Sequence, residues 1–269
     1  MAGRLAIIAC AGALPVALAE ADPEALVITL EGVPSSVAPE RARRHRLEEI
    51  GALFAEMRAE GVARVVFAGA LRRPALDPAR FDPEMAALAP RLMAAMAGGD
   101  DGLLRTVIAV FEAQGFAVIG AAQILPALVA EPGLHLGPAP APAEEADIAR
   151  AAQILRAIAP LDIGQGCVVA GGQCLGIETA QGTDALLDFV AMSDPACRRG
   201  FRGVCVKAAK SGQDLRIDMP AIGPQTVAGV ARAGLAGLVV EAGKVLILER
   251  DATLAAVRRA GIFLSARGL

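Results

Sequence analysis

The residues best suited to chemistry fall in one stretch, Cys205-Val206-Lys207-Ala208-Ala209-Lys210-Ser211-Gly212-Gln213-Asp214-Leu215-Arg216-Ile217-Asp218-Met219-Pro220. Two lysines, an arginine and two carboxylates sit close together in an otherwise alanine-rich, apolar chain. In an extended strand side chains alternate faces, so Asp214, Arg216 and Asp218 share one face while Leu215, Ile217 and Met219 take the other. Met219-Pro220 is expected to stop that strand, and Gly223-Pro224 to turn the chain into a helix at Thr226. Cations beside acids are what phosphate chemistry requires. Lys and Arg offset phosphoryl charge, while a carboxylate holds Mg2+ or takes a proton from water. An exposed edge strand carrying ordinary ion pairs accounts for the same spacing.

The rest of the composition narrows the options. The chain has 269 residues, enough for a sizeable core and commonly for two domains. A net charge of −3, with no Trp or Tyr, leaves no electrostatic footprint or stacking platform for nucleic acid. Five cysteines, Cys10, Cys167, Cys174, Cys197 and Cys205, lack CxxC spacing and read as small buried hydrophobes in a reducing compartment. His45 and His135 stand apart, which argues against a His-rich metal centre or a His-based triad. No apolar run reaches a membrane-spanning length, and Pro15 interrupts the segment that imitates a signal peptide. The expected location is therefore cytoplasmic.

The positioning elements read in order. Leu5–Ala9, Ala25–Leu30 and Val65–Gly69 are apolar runs suited to buried parallel strands. Gly12 and Ala13 form a small-residue turn into a helix with Pro15 early. A helix is expected from about Leu47 to Glu60, ahead of it a basic cluster, Arg41 to Arg46. Asp100 or Asp101 can cap a helix from Leu103 to Gln114, and Phe116–Gly120 is another strand. This βαβ alternation implies a parallel sheet with ligands near the strands' carboxyl ends, where Gly12 and Gly69 lie. Residues 132–142, rich in proline, read as a linker between an N-terminal Rossmann-like domain (1–131) and a C-terminal mixed α/β domain (143–269). In the latter, a helix over 144–158 precedes a hairpin turning at Gly171-Gly172. Thr183 or Asp184 is expected to cap the helix to Met192, and strands at 237–240 and 245–248 flank the Ala242-Gly243 turn. Asp251 or Thr253 is expected to cap a last helix before a strand at Ile262–Leu264.

Several of these segments occur together in a recognisable order. They are Gly12-Ala13-Leu14-Pro15, Phe67-Ala68-Gly69 with Arg73-Pro74, Gly99-Asp100-Asp101 with Leu103-Leu104-Arg105, and Leu161-Asp162-Ile163-Gly164-Gln165-Gly166. Glu178 with Gly182-Thr183-Asp184, and Arg216-Ile217-Asp218-Met219-Pro220 with Gly223 and Thr226, complete the series. Over essentially its whole length the chain resembles the LpxI-type UDP-2,3-diacylglucosamine pyrophosphatases of lipid A biosynthesis. The resemblance implies two domains and hydrolysis of UDP-2,3-diacylglucosamine to UMP and 2,3-diacylglucosamine 1-phosphate (lipid X), assisted by Mg2+. It also implies a homodimer, and an essential aspartate in the RxDxP segment, which here is Asp218. The first loop, Ala9-Cys10-Ala11-Gly12-Ala13, has less glycine than the family's, and Ala70 stands where the family often has a polar residue.

On that resemblance Asp218 positions or deprotonates water, or binds the Mg2+ that does so. Lys207, Lys210 and Arg216 offset the diphosphate charge. Gly12, Ala13, Gly69 and Ala70 from the first domain, and Gly164, Gln165 and Thr183 from the second, contact substrate. Asp100, Asp101, Glu178 and Asp184 are candidate Mg2+ ligands. The substrate is a lipid-linked nucleotide sugar, so a protein without a spanning helix meets the inner membrane peripherally. Two other readings compete. A dinucleotide-dependent oxidoreductase lacks its GxGxxG signature, and a non-catalytic module binding nucleotide sugar or lipid would use the same cations without needing Asp218.

Overall fold

The computed structural model describes residues 3–71, 75–96 and 100–269; Arg73-Pro74 and Gly99 lie outside them, as does the side chain of Asp100. The fold separates into two compact units. The first is the chain through Pro126 together with Asp214–Asp218; the second is Ala127–Gln213 with Met219–Leu269.

In the first unit, strands β1 (Arg4–Ala9), β2 (Leu26–Leu30), β3 (Ala42–His45), β4 (Val62–Ala68) and β5 (Ala117–Val118) form a parallel sheet in the order β3-β2-β1-β4-β5. The central strands are apolar on both faces because both are covered. On one face Ala6, Ile8, Ile28, Val65 and Val118 pack against Leu53, Phe54 and Met57 of α2 (Ile50–Ala59) and Ile108 and Phe111 of α4 (Asp100–Ala113). On the other, Ile7, Val27 and Val66 are buried, and α1 (Leu14–Ala21) packs on β1 and contributes Leu18. The order reverses between β1 and β4, so this sheet has a topological switch point at their carboxyl ends. Elements absent from the sequence reading include β3 and α3 (Pro83–Met96). The basic run is the edge strand itself: His45 reaches Glu56 of α2 through Nε2 at 2.5 Å.

The second unit holds a six-stranded mixed sheet, built from β6 (His135–Leu136), β7 (Gly166–Ala170), β8 (Gln173–Ile177), β9 (Val204–Lys207), β11 (Gly237–Glu241) and β13 (Phe263–Arg267), ordered β6-β13-β11-β9-β7-β8. Strands β9, β11 and β13 are parallel, while β6, β7 and β8 pair antiparallel. Alternation along these strands divides two cores. Cys167, Val169, Val204, Val206 and Val239 face Ile148, Ala151 and Leu155 of the single long helix α6 (Pro142–Ile158). Val168, Cys205, Leu238 and Val240 face α7 (Thr183–Met192), α8 (Pro224–Arg232) and α9 (Arg250–Ala260). The short α5 (Ala121–Ile124) follows β5 in the first unit. Asp147 of α6, almost fully buried, accepts the Gly171 and Gly172 backbone N–H groups at 3.0 and 2.7 Å and so holds the β7–β8 turn.

Several local expectations are corrected. Residues 214–218 do not form a strand: the Asp214 carbonyl accepts from the Ile217 and Asp218 N–H groups, at 3.2 and 3.1 Å, which makes a turn. The proline-rich stretch carries β6, which pairs with β13 inside the second unit. The segment at 245–248 contains β12 (Leu246–Ile247), which runs parallel to β10 (Ala221–Ile222) instead of forming a hairpin with β11. Gly182 occupies the N-cap position of α7, which therefore has no side-chain cap, and Thr183 turns to Glu178. The last helix likewise has no side-chain cap, Thr253 Oγ1 donating to the Leu248 carbonyl at 2.6 Å. Cys10, Cys167 and Cys205 are buried as expected, but Cys174 and Cys197 are exposed.

Candidate functional site

At the switch point of the first sheet, the loops after β1 and β4 meet. Ala11 and Ala70 exchange backbone hydrogen bonds at 3.2 and 2.9 Å, which brings Gly12 and Ala13 beside Gly69 and Ala70. Gly69 has φ +90° and leaves no room for a side chain, since a Cβ there would lie 2.3 Å from the Ala11 carbonyl oxygen. Only glycine fits that crossing. The four N-domain residues read from the sequence are thus gathered at one place.

The same unit carries the Asp214–Asp218 turn. Arg216 is clamped by Asp214, with Nη2 to Oδ2 at 2.7 Å and Nε to Oδ1 at 3.0 Å. Its Nη1 reaches Glu112 of α4 at 2.8 Å. Held by Arg216, the Asp214 carboxyl titrates below its ordinary range, and the guanidinium's own value rises in return. Gly120, after β5, approaches closely: a Cβ there would lie 3.3 Å from the Arg216 Cα. Ile217 packs on the core beneath. Asp218 is half-buried at the end of the turn, and its backbone N–H is bound by the Asp214 carbonyl.

In the second unit, Lys207 ends β9 and is 5% exposed. Its Nζ lies 2.5 Å from Thr183 Oγ1 and 3.3 Å from Glu178 Oε2. Glu178 follows β8, and its N–H donates to the Gly166 carbonyl at 2.7 Å. Gly164 packs so tightly on the Glu178 backbone that a Cβ would sit 1.9 Å from that carbonyl oxygen. Gln165 accepts the Ala208 N–H at 2.9 Å through its carbonyl, and Lys210 pairs with Asp162. Gly164, Gln165, Thr183, Lys207 and Glu178 therefore form one cluster where β7 begins and β9 ends, with Lys210 beside it.

The candidate metal ligands with described side chains each have their own surroundings. Asp101 pairs with Arg105, Glu178 with Lys207, and Asp184 is exposed in the first turn of α7. Among the described residues no group of three Asp, Glu, His or Cys side chains is assembled. The described carboxylates thus do not make a preformed cage for a hard cation. Residues that spacing did not single out are Glu112 and Asp162, the acid partners of Arg216 and Lys210. Asp162 had one sequence signal, its place in the Leu161–Gly166 segment that carries the family resemblance; in the structure it adopts the left-handed conformation at φ 53°.

Both units are open α/β sheets that present glycine turns and charged side chains at the carboxyl ends of parallel strands, which defines the class of ligand-binding α/β proteins. Comparison with known proteins resolves the class further. The LpxI N-terminal domain matches residues 4–128 and the LpxI C-terminal domain residues 131–265. The chain belongs to the LpxI family. It is 39% identical over 268 residues, 97% of this chain and 96% of the relative, to the UDP-2,3-diacylglucosamine pyrophosphatase LpxI of Caulobacter vibrioides. Among the described residues no helix is long and apolar enough to cross a membrane.

Proposed function

We propose that this chain hydrolyses the diphosphate of UDP-2,3-diacylglucosamine, releasing UMP and 2,3-diacylglucosamine 1-phosphate in lipid A biosynthesis. The observation that carries this reading is the end-to-end identity with a pyrophosphatase of that name. Water must be placed in line with one phosphorus, and a P–O bond of the anhydride must break as the new one forms. Asp218 orients that water or accepts its proton. Lys207, Lys210 and Arg216 offset the charge that builds on the phosphates. Each already has an internal acid partner, so the diphosphate competes with those carboxylates for the cations. Gly12, Ala13, Gly69 and Ala70 offer a turn with little steric bulk to a ligand at the switch point.

A Mg2+ requirement belongs to this proposal, with the cation arriving on the diphosphate because the described carboxylates assemble no cage. Turnover after chelation and after Mg2+ is restored tests it. A cytoplasmic location, peripheral contact with the inner membrane and assembly as a homodimer are further parts, checked by fractionation, sedimentation with inner-membrane vesicles and light scattering.

The decisive experiment is hydrolysis of the UDP-lipid in 18O-labelled water by the native chain and by Asp218→Ala. Release of UMP and lipid X, with turnover in the variant lower by two or more orders of magnitude and an unchanged melting curve, is expected. Near-native turnover in the variant removes Asp218 from the reaction. Tight lipid binding without any turnover by the native chain establishes a binding module instead.

A further inference from the structure

Two cysteines lie side by side at the free edge of the second sheet. Cys167 is on β7 and fully buried, whereas Cys174 is on the edge strand β8 and exposed. The two strands pair with a register shift, so that Val169 opposes Cys174 while Cys167 opposes Ile177. The irregularity brings the diagonal pair together, with Sγ atoms 3.9 Å apart. A disulfide needs the sulfurs at about 2.05 Å, and rotation of the exposed Cys174 side chain is the movement available to close that gap. Cys174 also lines an open cavity with Leu175, Phe189, Cys197 and Arg199, so a small reagent can reach it.

The ionisation of the pair favours the same assignment. The hydrogen bond with Cys167 lowers Cys174 to about 6 against the cost of burial, with the Gly176 backbone and then Arg150 of α6 helping. The same bond, with burial, pushes Cys167 well above the ordinary thiol range. Both shifts run the same way, favouring the thiolate on the exposed sulfur over the buried one. Thiolates, not thiols, react with oxidants.

We propose that Cys174 and Cys167 form a peroxide-reactive dithiol, Cys174 being the attacking sulfur and Cys167 the resolving one. In the first step the Cys174 thiolate attacks one oxygen of hydrogen peroxide and the O–O bond breaks. The departing hydroxide takes a proton to become water, and Cys174, oxidised by two electrons, becomes a sulfenic acid. In the second step the Cys167 sulfur attacks the Cys174 sulfur and the S–O bond breaks. The leaving hydroxide departs with the Cys167 proton as water, and the S–S bond remains. Two thiols and one peroxide give one disulfide and two waters. The product joins β7 to β8 next to Gly166 and four positions before Glu178, the residue that holds Lys207. A small thiol reductant reverses it by exchange.

The test treats the reduced full-length protein with hydrogen peroxide, alkylates the remaining thiols and digests with trypsin. Residues 157–198 form one peptide carrying Cys167, Cys174 and Cys197. The expected product has lost two hydrogens, carries the alkyl group on Cys197, resists fragmentation between Cys167 and Cys174, and reverts with dithiothreitol. Cys174→Ser is expected to abolish the product. Cys167→Ser is expected to stop at a Cys174 sulfenic acid that dimedone traps. Should Cys167→Ser fail to fold, the native peptide map and the exposed-site Cys174→Ser variant still decide. Oxidation that appears first on Cys197, covalent dimers joined through Cys174, or unreacted Cys174 at peroxide levels that oxidise free cysteine would each overturn the proposal. None of these readouts depends on the chain's turnover of any substrate.

Discussion

Removing the Glu178 carboxylate isolates a buried cation, and the structure sets the size of the effect. Lys207 is 5% exposed, and the Glu178 side chain is 12% exposed. Solvent therefore screens the pair little. In Glu178→Ala the ammonium loses both carboxylate oxygens, at 3.3 and 3.5 Å, and keeps, among the described residues, the Thr183 hydroxyl. Breaking a buried pair by deleting one partner costs about 3–5 kcal/mol, and the surviving hydroxyl places this case near the lower figure, about 3 kcal/mol. At about 2–4 °C per kcal/mol, the unfolding transition of the second unit falls by about 6–12 °C. Replacing both partners, Lys207→Met with Glu178→Met, removes the orphaned charge and returns stability to within about 1 kcal/mol of native. The double-mutant cycle through the Glu178→Met and Lys207→Met single variants, measured by guanidinium melts, is expected to give a coupling of at least about 2 kcal/mol. A Glu178→Ala loss below about 1 kcal/mol, the range of a solvated surface pair, would refute the reasoning. The same proteins separate stability from function. If Lys207 offsets diphosphate charge, the stable double variant loses turnover; full activity would leave the lysine with a purely structural role.

Two further outcomes follow from the first unit. Gly69→Ala combines a left-handed backbone, φ +90°, with a Cβ 2.3 Å from the Ala11 oxygen. It is expected to cost about 1–3 kcal/mol or more in a thermal or denaturant melt, and a change within about 0.5 kcal/mol contradicts the close crossing of the two loops. Arg216→Ala tests the carboxyl that it clamps. Because Asp214 is lowered from 3.8 in the fold, its contribution is present above the unfolded value and is lost as pH falls through the folded one. The native protein is therefore expected to lose denaturant resistance below about pH 4 more steeply than the variant. Identical slopes between pH 5 and pH 2 would show that the clamp does not operate in solution.

Much of the architecture was legible because burial writes itself into composition. Leu5–Ala9 and Val65–Gly69 read as parallel strands, observed as β1 (Arg4–Ala9) and β4 (Val62–Ala68), since a strand covered on both faces is apolar almost throughout. Gly12 and Gly69 could be placed at the carboxyl ends of those strands for the same reason. β3 escaped notice because its residues, Ala42-Arg43-Arg44-His45, have no apolar pattern; pairing with β2 makes it a strand. β6 is two residues long among prolines and exists through its bonds to β13. The strand expected at 214–218 failed because two apolar residues alternating with three charged ones fit a turn as well as a pleat.

The sequence by itself determined the two-part α/β character, the buried strands, the hairpin at Gly171-Gly172 and the order of motifs that places the chain in its family. These follow from local rules: side-chain period, glycine freedom and the need to bury apolar surface. Only the tertiary structure decided which charges meet. Lys207 and Glu178 are 29 residues apart and Arg216 and Glu112 are 104 apart, and no local pattern specifies such partners. It also decided that Cys174 faces outward beside a buried Cys167, because a one-residue slip between β7 and β8 sets which side chains become diagonal neighbours. Ion pairs and thiol contacts depend on distances of a few ångströms, and those distances are set by how strands register and sheets order, which composition alone does not encode.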